Sequence, residues 1–325
     1  MMLLDTNFLL SYMESLTLYP QVKDFFVRNF GFVTYFTAQR DIFLLENQIP
    51  LWVLKMLATL KYGDYDQDGN LQKELFGKFC GSAVFCDYQP TKVRGSCDGK
   101  NSEDEQPMHL LETLRDVIIS EPIQPKTLQQ KDFKTESKSH IYPFRSVRDL
   151  KQKGIFFRSS SINSIHGIKF KSYKLFGKLD LPKEHMNIYS KVIYSNMIAY
   201  EMSPNTNTRY EVTSYVNFMK SLVVCPEDVK ELREKGVICN HLGTDEEAAK
   251  LFQDITTYDV VSHGGILVDV IKDIQSHVSS KAKTSMAECY WTYFSTPWSI
   301  IALLVAAALL CLTIMQTHYT MYPMN

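Results

Sequence analysis

In several segments of this chain the apolar residues recur every three to four positions, which is the spacing of amphipathic helices. The segments with this spacing are 108–119, 213–222, 226–235, 244–255 and 260–286. The segments 1–16 and 24–36 are rich in Leu and Phe at mixed spacings, and we predict that they form two packed helices joined at Pro20. Between Ile168 and Pro182 the apolar residues instead alternate with polar ones, which predicts a two-stranded β-hairpin with Gly177 in its turn. The pattern therefore predicts a mainly α fold, in which a helical body over 1–290 carries one small hairpin.

Residues 298–315 break the amphipathic pattern, because WSIIALLVAAALLCLTIM has no charge and no polar face. A helix of this length rises roughly 27 Å, close to the hydrocarbon thickness of a bilayer. We predict a single C-terminal transmembrane helix, whose apolar course is marked by Trp298, Ile300, Leu304, Leu309 and Met315. An aromatic juxtamembrane collar at 291–297 precedes it and a short tail at 316–325 follows. A buried core helix is the alternative, since this length is the lower limit for a span.

The orientation follows from the charges beside this span. Lys281 and Lys283 precede it and no Lys or Arg follows, which favours a body in the cytosol. The N-terminus lacks the basic start of a secretory signal, no Asn-x-Ser/Thr sequon occurs, and the 7 cysteines are irregularly spaced. We predict a single-pass protein of the plasma membrane whose partners are the bilayer and unknown proteins.

The sharpest local pattern is RDIFLLENQIPLWVLKMLATL at 40–60. Asp41 can cap a short helix, and Pro50 suits the first turn of the next one, so the stretch predicts a helix, a corner and a second helix. We expect the polar residues of the corner to satisfy backbone groups rather than to catalyse a reaction. The residues of this structural motif are Leu44, Leu45, Glu46, Asn47, Gln48 and Pro50.

The segment DYDQDGNLQKEL at 64–75 resembles a calcium-binding loop. Asp64, Asp66 and Asp68 occupy the first, third and fifth positions of an EF-hand, but Leu75 stands where a bidentate Glu is required. The missing ligand favours a solvated acidic turn over a weak Ca²⁺ site.

No catalytic or cofactor-binding motif is present in the sequence. We find no phosphate loop, dinucleotide fingerprint, nucleophile elbow or zincin helix, so no catalytic residue, cofactor or metal ligand is assigned. Cys80, Cys86, Cys97 and His109 lack the close pairs typical of structural zinc sites. The net charge of −1 offers no basic face for nucleic acid.

Three segments carry a resemblance to a known family. They are LLENQIPLWVL at 44–54, the stretch from YEVTSYVNFMK to EEAAKLF at 210–252, and the ending YFSTPWSIIALLVAAALLCLTIMQTHY at 293–319. In this order they resemble the plant family catalogued as domain of unknown function 247. MMLLD at 1–5 resembles an internal motif of that family, so we expect an upstream region to be missing. KEHMNIYSKV at 183–192 departs from the acidic sequence usual there.

The resemblance implies a plant protein with a mainly helical body and a C-terminal membrane anchor. Some similar grass proteins are implicated in self-incompatibility, and no catalytic residue is established that could be transferred. Our first hypothesis is a non-enzymatic recognition or signalling protein whose polar loops at 88–106 and 121–142 select partners. The alternatives are a membrane-associated enzyme of unrecognised type and a structural tether.

Calorimetric titration with Ca²⁺ tests the interpretation of the acidic loop. We expect no binding in the micromolar range, because the ligand that completes an EF-hand is absent. Micromolar binding that disappears in Asp64→Ala would establish a real calcium site.

Overall fold

The computed structural model describes residues 2–63, 70–88, 108–120, 146–173, 176–204, 206, 208–257, 266–280 and 297–321. These residues confirm the mainly α fold, with helices packed around a shared hydrophobic core. The helices of the first part of the chain are α1 (Met2–Thr17), α2 (Pro20–Phe30), α3 (Phe32–Ile42), α4 (Leu51–Tyr62), α5 (Asn70–Val84), α6 (Leu110–Ile119) and α7 (Val147–Gln152). Those that follow are α8 (Ser190–Glu201), α9 (Glu211–Leu222), α10 (Pro226–Glu234), α11 (Asp245–Asp254), α12 (Ile266–Ser279) and α13 (Pro297–Met321).

The N-terminal region holds one helix more than the sequence predicts. The single helix expected over 24–36 is wrong, because α2 and α3 are separated at Gly31, whose φ is +84°. Glycine adopts this left-handed conformation without steric cost, and the chain turns there. The buried ring of Tyr12 in α1 packs against Phe26 and Tyr35, and its hydroxyl donates to the Tyr35 carbonyl at 2.8 Å. The turn at Gly31 therefore lets all three helices share one aromatic contact.

The predicted corner lies between α3 and α4. Asp41 belongs to α3 instead of capping a new helix, and Leu45–Asn47 forms a single 3₁₀ turn. The Gln48 side-chain amide donates to the Leu44 carbonyl at 2.7 Å, and its oxygen accepts from the Leu111 N–H at 3.1 Å. One side chain thus satisfies backbone groups of the corner and of α6.

A three-stranded sheet contains the predicted hairpin. The strands are β1 (Ile155–Ser159), β2 (Lys169–Ser172) and β3 (Gly177–Leu181), in the order β1-β3-β2. β2 and β3 pair antiparallel as predicted, while β1 joins β3 in parallel. Gly177 lies within β3 rather than in the turn. A Cβ there would lie 2.8 Å from the Phe170 ring, so the close packing of that ring accounts for the glycine.

A second, smaller sheet was not predicted. It pairs β4 (Glu184–Met186) in parallel with β5 (Ile238–Asn240), and an isolated bridge joins Phe85 to Glu184. Strands of three residues are too short to show an alternating pattern, so the sequence gives no periodic signal for them.

Glu201 at the end of α8 caps the first turn of α9. Its side chain is fully buried and accepts from the N–H groups of Val212 and Thr213 at 3.0 and 2.9 Å. The Thr213 hydroxyl and Arg115 of α6 donate to it as well, at 2.8 and 3.2 Å. Four hydrogen bonds, one of them from the counter-ion Arg115, offset the cost of removing this carboxylate from water.

The helix α13 includes the predicted span. Residues 301–318 are long and apolar enough to cross a membrane by length and composition, and none of this window is buried. Leu304, Leu309 and Met315 are all more than half exposed. Several predicted features lie outside the described residues. They are the loops at 89–106 and 121–142, the segment 64–69 that resembles a calcium-binding loop, the collar at 291–296 and the side chains of Trp298 and Ile300.

Removing the charge of Glu201 should destabilise the body strongly. Glu201→Gln leaves Arg115 without its buried partner, and we expect the free energy of unfolding to fall by about 3–5 kcal/mol. Urea denaturation followed by circular dichroism measures this loss. The matched control is Glu211→Gln, which removes the other, 28% exposed partner of Arg115 and should cost about 1 kcal/mol or less. Equal losses in the two variants would contradict the role assigned to Glu201.

Candidate functional site

The two faces of the β4–β5 ribbon carry different chemistry. Side chains alternate along a strand, and the register pairs Glu184 with Ile238 and His185 with Cys239. Glu184 and Ile238 are buried, whereas His185 and Cys239 are only partly buried. The ribbon therefore presents a carboxylate to the core and a His–Cys pair towards the surface.

On the inner face, Glu184 lies between two buried tyrosines. The Tyr194 hydroxyl of α8 donates to one carboxylate oxygen, and the Tyr215 hydroxyl of α9 donates to the other at 2.6 Å. Burial raises the pKa of Glu184 from 4.5 to about 7, although the two hydrogen bonds lower it. Burial and the adjacent carboxylate raise the pKa values of both tyrosines well above the usual 10. The carboxyl group can thus exchange a proton near neutral pH inside a closed core.

On the outer face, Cys86 and Cys239 form a disulfide. Their Cα atoms are 6.5 Å apart, although 153 residues separate them in the chain. The Cys86 N–H donates to the Lys183 carbonyl at 3.0 Å, which places the segment after α5 beside β4. The disulfide therefore fastens the end of α5 across β4 to β5.

Two imidazoles stand beside this disulfide. The rings of His185 and His241 meet edge to face with centroids 4.5 Å apart. His185 Nδ1 contacts the Ser82 carbonyl at 3.1 Å, and His241 Nδ1 contacts the Cys239 carbonyl at 3.3 Å. Burial lowers the pKa of His185, although the contact with the Ser82 carbonyl raises it. With the disulfide closed, no group of three or more His, Cys, Asp or Glu side chains in the described part of the chain is arranged to hold a metal ion.

A separate cavity of about 270 Å³ opens beside the corner motif. Asp5 and Asp41 supply its carboxylates, Asn47 and Gln48 its amides, and the remaining lining is apolar. No His or Cys borders it, and Glu184 lies elsewhere. The cavity and Glu184, whose pKa is raised, thus lie at two different places in the fold.

The comparisons with known proteins can now be set beside this geometry. The profile of a plant protein family of unknown function, DUF247, matches residues 1–312. The chain belongs to this family.

Two curated relatives come from Arabidopsis thaliana. A putative UPF0481 protein is 29% identical over 171 residues, which cover 53% of this chain and 32% of the relative. Another UPF0481 protein is 26% identical over 298 residues, which cover 86% of this chain and 59% of the relative. The chain thus spans less than two thirds of the length of either. No solved structure matches it.

In this DUF247 chain the fold separates most residues that sequence reasoning considered together. Cys80 is buried and points to the Leu110 carbonyl, His109 caps α6, and Cys97 lies outside the described residues. Of the three members of that set that the structure describes, only Cys86 reaches the β4–β5 ribbon. The signal that was missed is the Cys239-x-His241 spacing, which places both side chains on one face of an extended strand.

The buried Glu184 predicts a pH dependence of stability. The folded protein holds this proton more tightly than the unfolded chain, so the contribution of Glu184 to stability is fully present below about pH 4.5 and is lost as the pH rises through about 7. In Glu184→Gln we expect this decline to shrink by up to about 3 kcal/mol. Urea unfolding at several pH values measures the difference between the two proteins.

The exposed Glu74, replaced by Gln, serves as the control for this experiment. Its pH profile should follow that of the original protein, because a partly solvated carboxylate contributes little. Parallel profiles for the original protein and Glu184→Gln would show that Glu184 ionises normally.

Proposed function

We propose that this protein is a membrane-anchored, non-enzymatic recognition or signalling protein of the plant plasma membrane, with its body in the cytosol. The observation that carries the proposal is α13, whose window at 301–318 has no buried residue although the body has a filled core. Apolar surface on this scale marks a site of interaction with a membrane or another protein. A bilayer accounts for it because the helix is apolar on all sides.

The non-enzymatic part rests on what the buried polar groups do. Glu201 caps α9, and Glu184 is enclosed by Tyr194 and Tyr215. These carboxylates hold helices and strands together instead of lining the cavity beside the corner. Contact with protein partners through the body surface is the role that fits such a scaffold.

Two observations bear on orientation and favour opposite sides. Lys281 and Lys283 support a cytosolic body through the positive-inside rule. The Cys86–Cys239 disulfide is of the kind that persists in oxidising compartments. We propose the cytosolic orientation, in which this pair is kept largely reduced.

Charged substitutions in α13 test the anchor. Leu304→Arg with Leu309→Arg adds about 5–7 kcal/mol to the cost of insertion, which exceeds the favourable roughly −3 to −5 kcal/mol of the apolar residues. We expect the double variant to leave the membrane pellet after alkaline washing. The matched control replaces both leucines by Ala and should stay in the pellet. Retention of the double Arg variant would disprove anchoring by this helix.

Protease protection tests the orientation. With a tag at each end and intact cells, we expect an outside protease to remove only the C-terminal tag. Digestion of the body from outside would reverse the orientation and favour recognition of extracellular molecules. A chimera that joins an unrelated body to α13 tests the tether alternative. If this chimera restored function in plants lacking the protein, the protein would act as a structural tether instead.

A further inference from the structure

Four side chains of metal-binding type share the outer face of the β4–β5 ribbon. His185 lies directly opposite Cys239 in the parallel pair, and paired strands are about 4.8 Å apart. His241 lies two residues beyond Cys239, and its N–H continues the ladder by donating to the Met186 carbonyl at 2.8 Å. Cys86 is placed on the same face by its bond to Cys239. The four side chains come from three distant segments and converge because of the fold.

The two imidazoles are already held as metal ligands usually are. A carbonyl oxygen only accepts, so the Nδ1 atoms that contact Ser82 and Cys239 carry the ring protons. In the neutral form of each ring, Nε2 then keeps its lone pair. A carbonyl partner on the other nitrogen is the arrangement that fixes the tautomer of a ligating histidine.

We propose that reduction of the Cys86–Cys239 disulfide converts this face into a Cys₂His₂ zinc site formed by Cys86, His185, Cys239 and His241. Two thiolates and two neutral imidazoles are a ligand set that selects Zn²⁺. The site lies in the body and forms on reduction whatever the protein's function, while the cytosolic orientation proposed above is the one that keeps the pair reduced.

The exchange balances as a two-electron reaction. A dithiol attacks the sulfur–sulfur bond and is oxidised to a disulfide, while Cys86 and Cys239 become thiols and take up its two protons. Zn²⁺ then displaces one proton from each thiol as the Zn–S bonds form. Exchange with another disulfide, which is reduced to a dithiol, re-forms the Cys86–Cys239 bond, removes both thiolate ligands and releases the ion.

The geometry demands little movement between the two states. Sulfur atoms in a disulfide are about 2.05 Å apart, whereas two on a tetrahedral zinc, each about 2.3 Å from the metal, are about 3.8 Å apart. Rotation of two side chains supplies this change, and Cys86 lies in a turn rather than in a helix. In both states the end of α5 stays fastened to β5, once by a covalent bond and once through the metal.

Zinc titration of the full-length chain in detergent tests the proposal. A phosphine reduces the disulfide, becoming a phosphine oxide with oxygen from water, and is removed by anaerobic gel filtration. ZnCl₂ is then added in competition with a chromophoric chelator. We expect one tightly bound Zn²⁺ per reduced chain and none on the oxidised chain. Co²⁺ in place of Zn²⁺ should show the visible absorption of a tetrahedral site and a thiolate charge-transfer band.

Single substitutions identify the ligands. His185→Ala and His241→Ala should each weaken binding by more than the roughly 10- to 100-fold that loss of an outer partner costs. Cys239→Ser should also abolish the charge-transfer contribution of that thiolate. The controls are His318→Ala and Cys311→Ser, both in α13, which should leave affinity unchanged. Circular dichroism before titration verifies that each variant is folded.

Three results would overturn the proposal. They are no stoichiometric binding by the reduced chain, equal binding by the oxidised chain, and unchanged affinity in folded His185→Ala and His241→Ala. The third result would assign any bound zinc to other groups.

Discussion

The centre of the body depends on the burial of one carboxylate, Glu201. A helix begins with N–H groups that lack partners, and α9 has no side-chain cap of its own because Tyr210 precedes it in a left-handed conformation. Glu201 supplies the missing acceptor from the end of α8, and Arg115 of α6 balances its charge. These contacts set how α8 and α9 lie against each other. Those two helices then bring Tyr194 and Tyr215 to Glu184.

The β4–β5 ribbon shows how a very small sheet can separate two kinds of chemistry. A one-residue step along β4 takes the chain from Glu184, enclosed by tyrosines, to His185, which faces the disulfide. The inner carboxyl group of Glu184 can gain or lose a proton. The outer Cys86–Cys239 pair can be oxidised or reduced and, in the proposed site, binds zinc when reduced. Both faces belong to the same strand, β4, which is hydrogen-bonded to β5 and to the segment at Phe85. A change on either face therefore acts on the same three segments.

Sequence patterns predicted the helices and the hairpin because their periodicities extend over many residues. They also predicted the apolar helix at 298–315, where charge is absent. They failed at Gly31, where one backbone angle splits a helix, and at β4 and β5, which are too short for any period. Glu201 and Glu184 were missed because a buried carboxylate looks like a surface one until its partners converge from distant segments.

The pairing of Cys86 with Cys239 also has a consequence for synthesis. Contacts between such distant residues form slowly, because a long loop must close before they contribute any stability. During translation, the end of α5 has to wait until about 150 further residues have left the ribosome. Phe79 can pack at once against Tyr12 and Phe43, which precede it in the chain, but the bridge from Phe85 to Glu184 has to wait for β4. The segment at Phe85 and Cys86 therefore lacks its strand partner during much of synthesis, and unpaired strand edges of this kind are prone to aggregate.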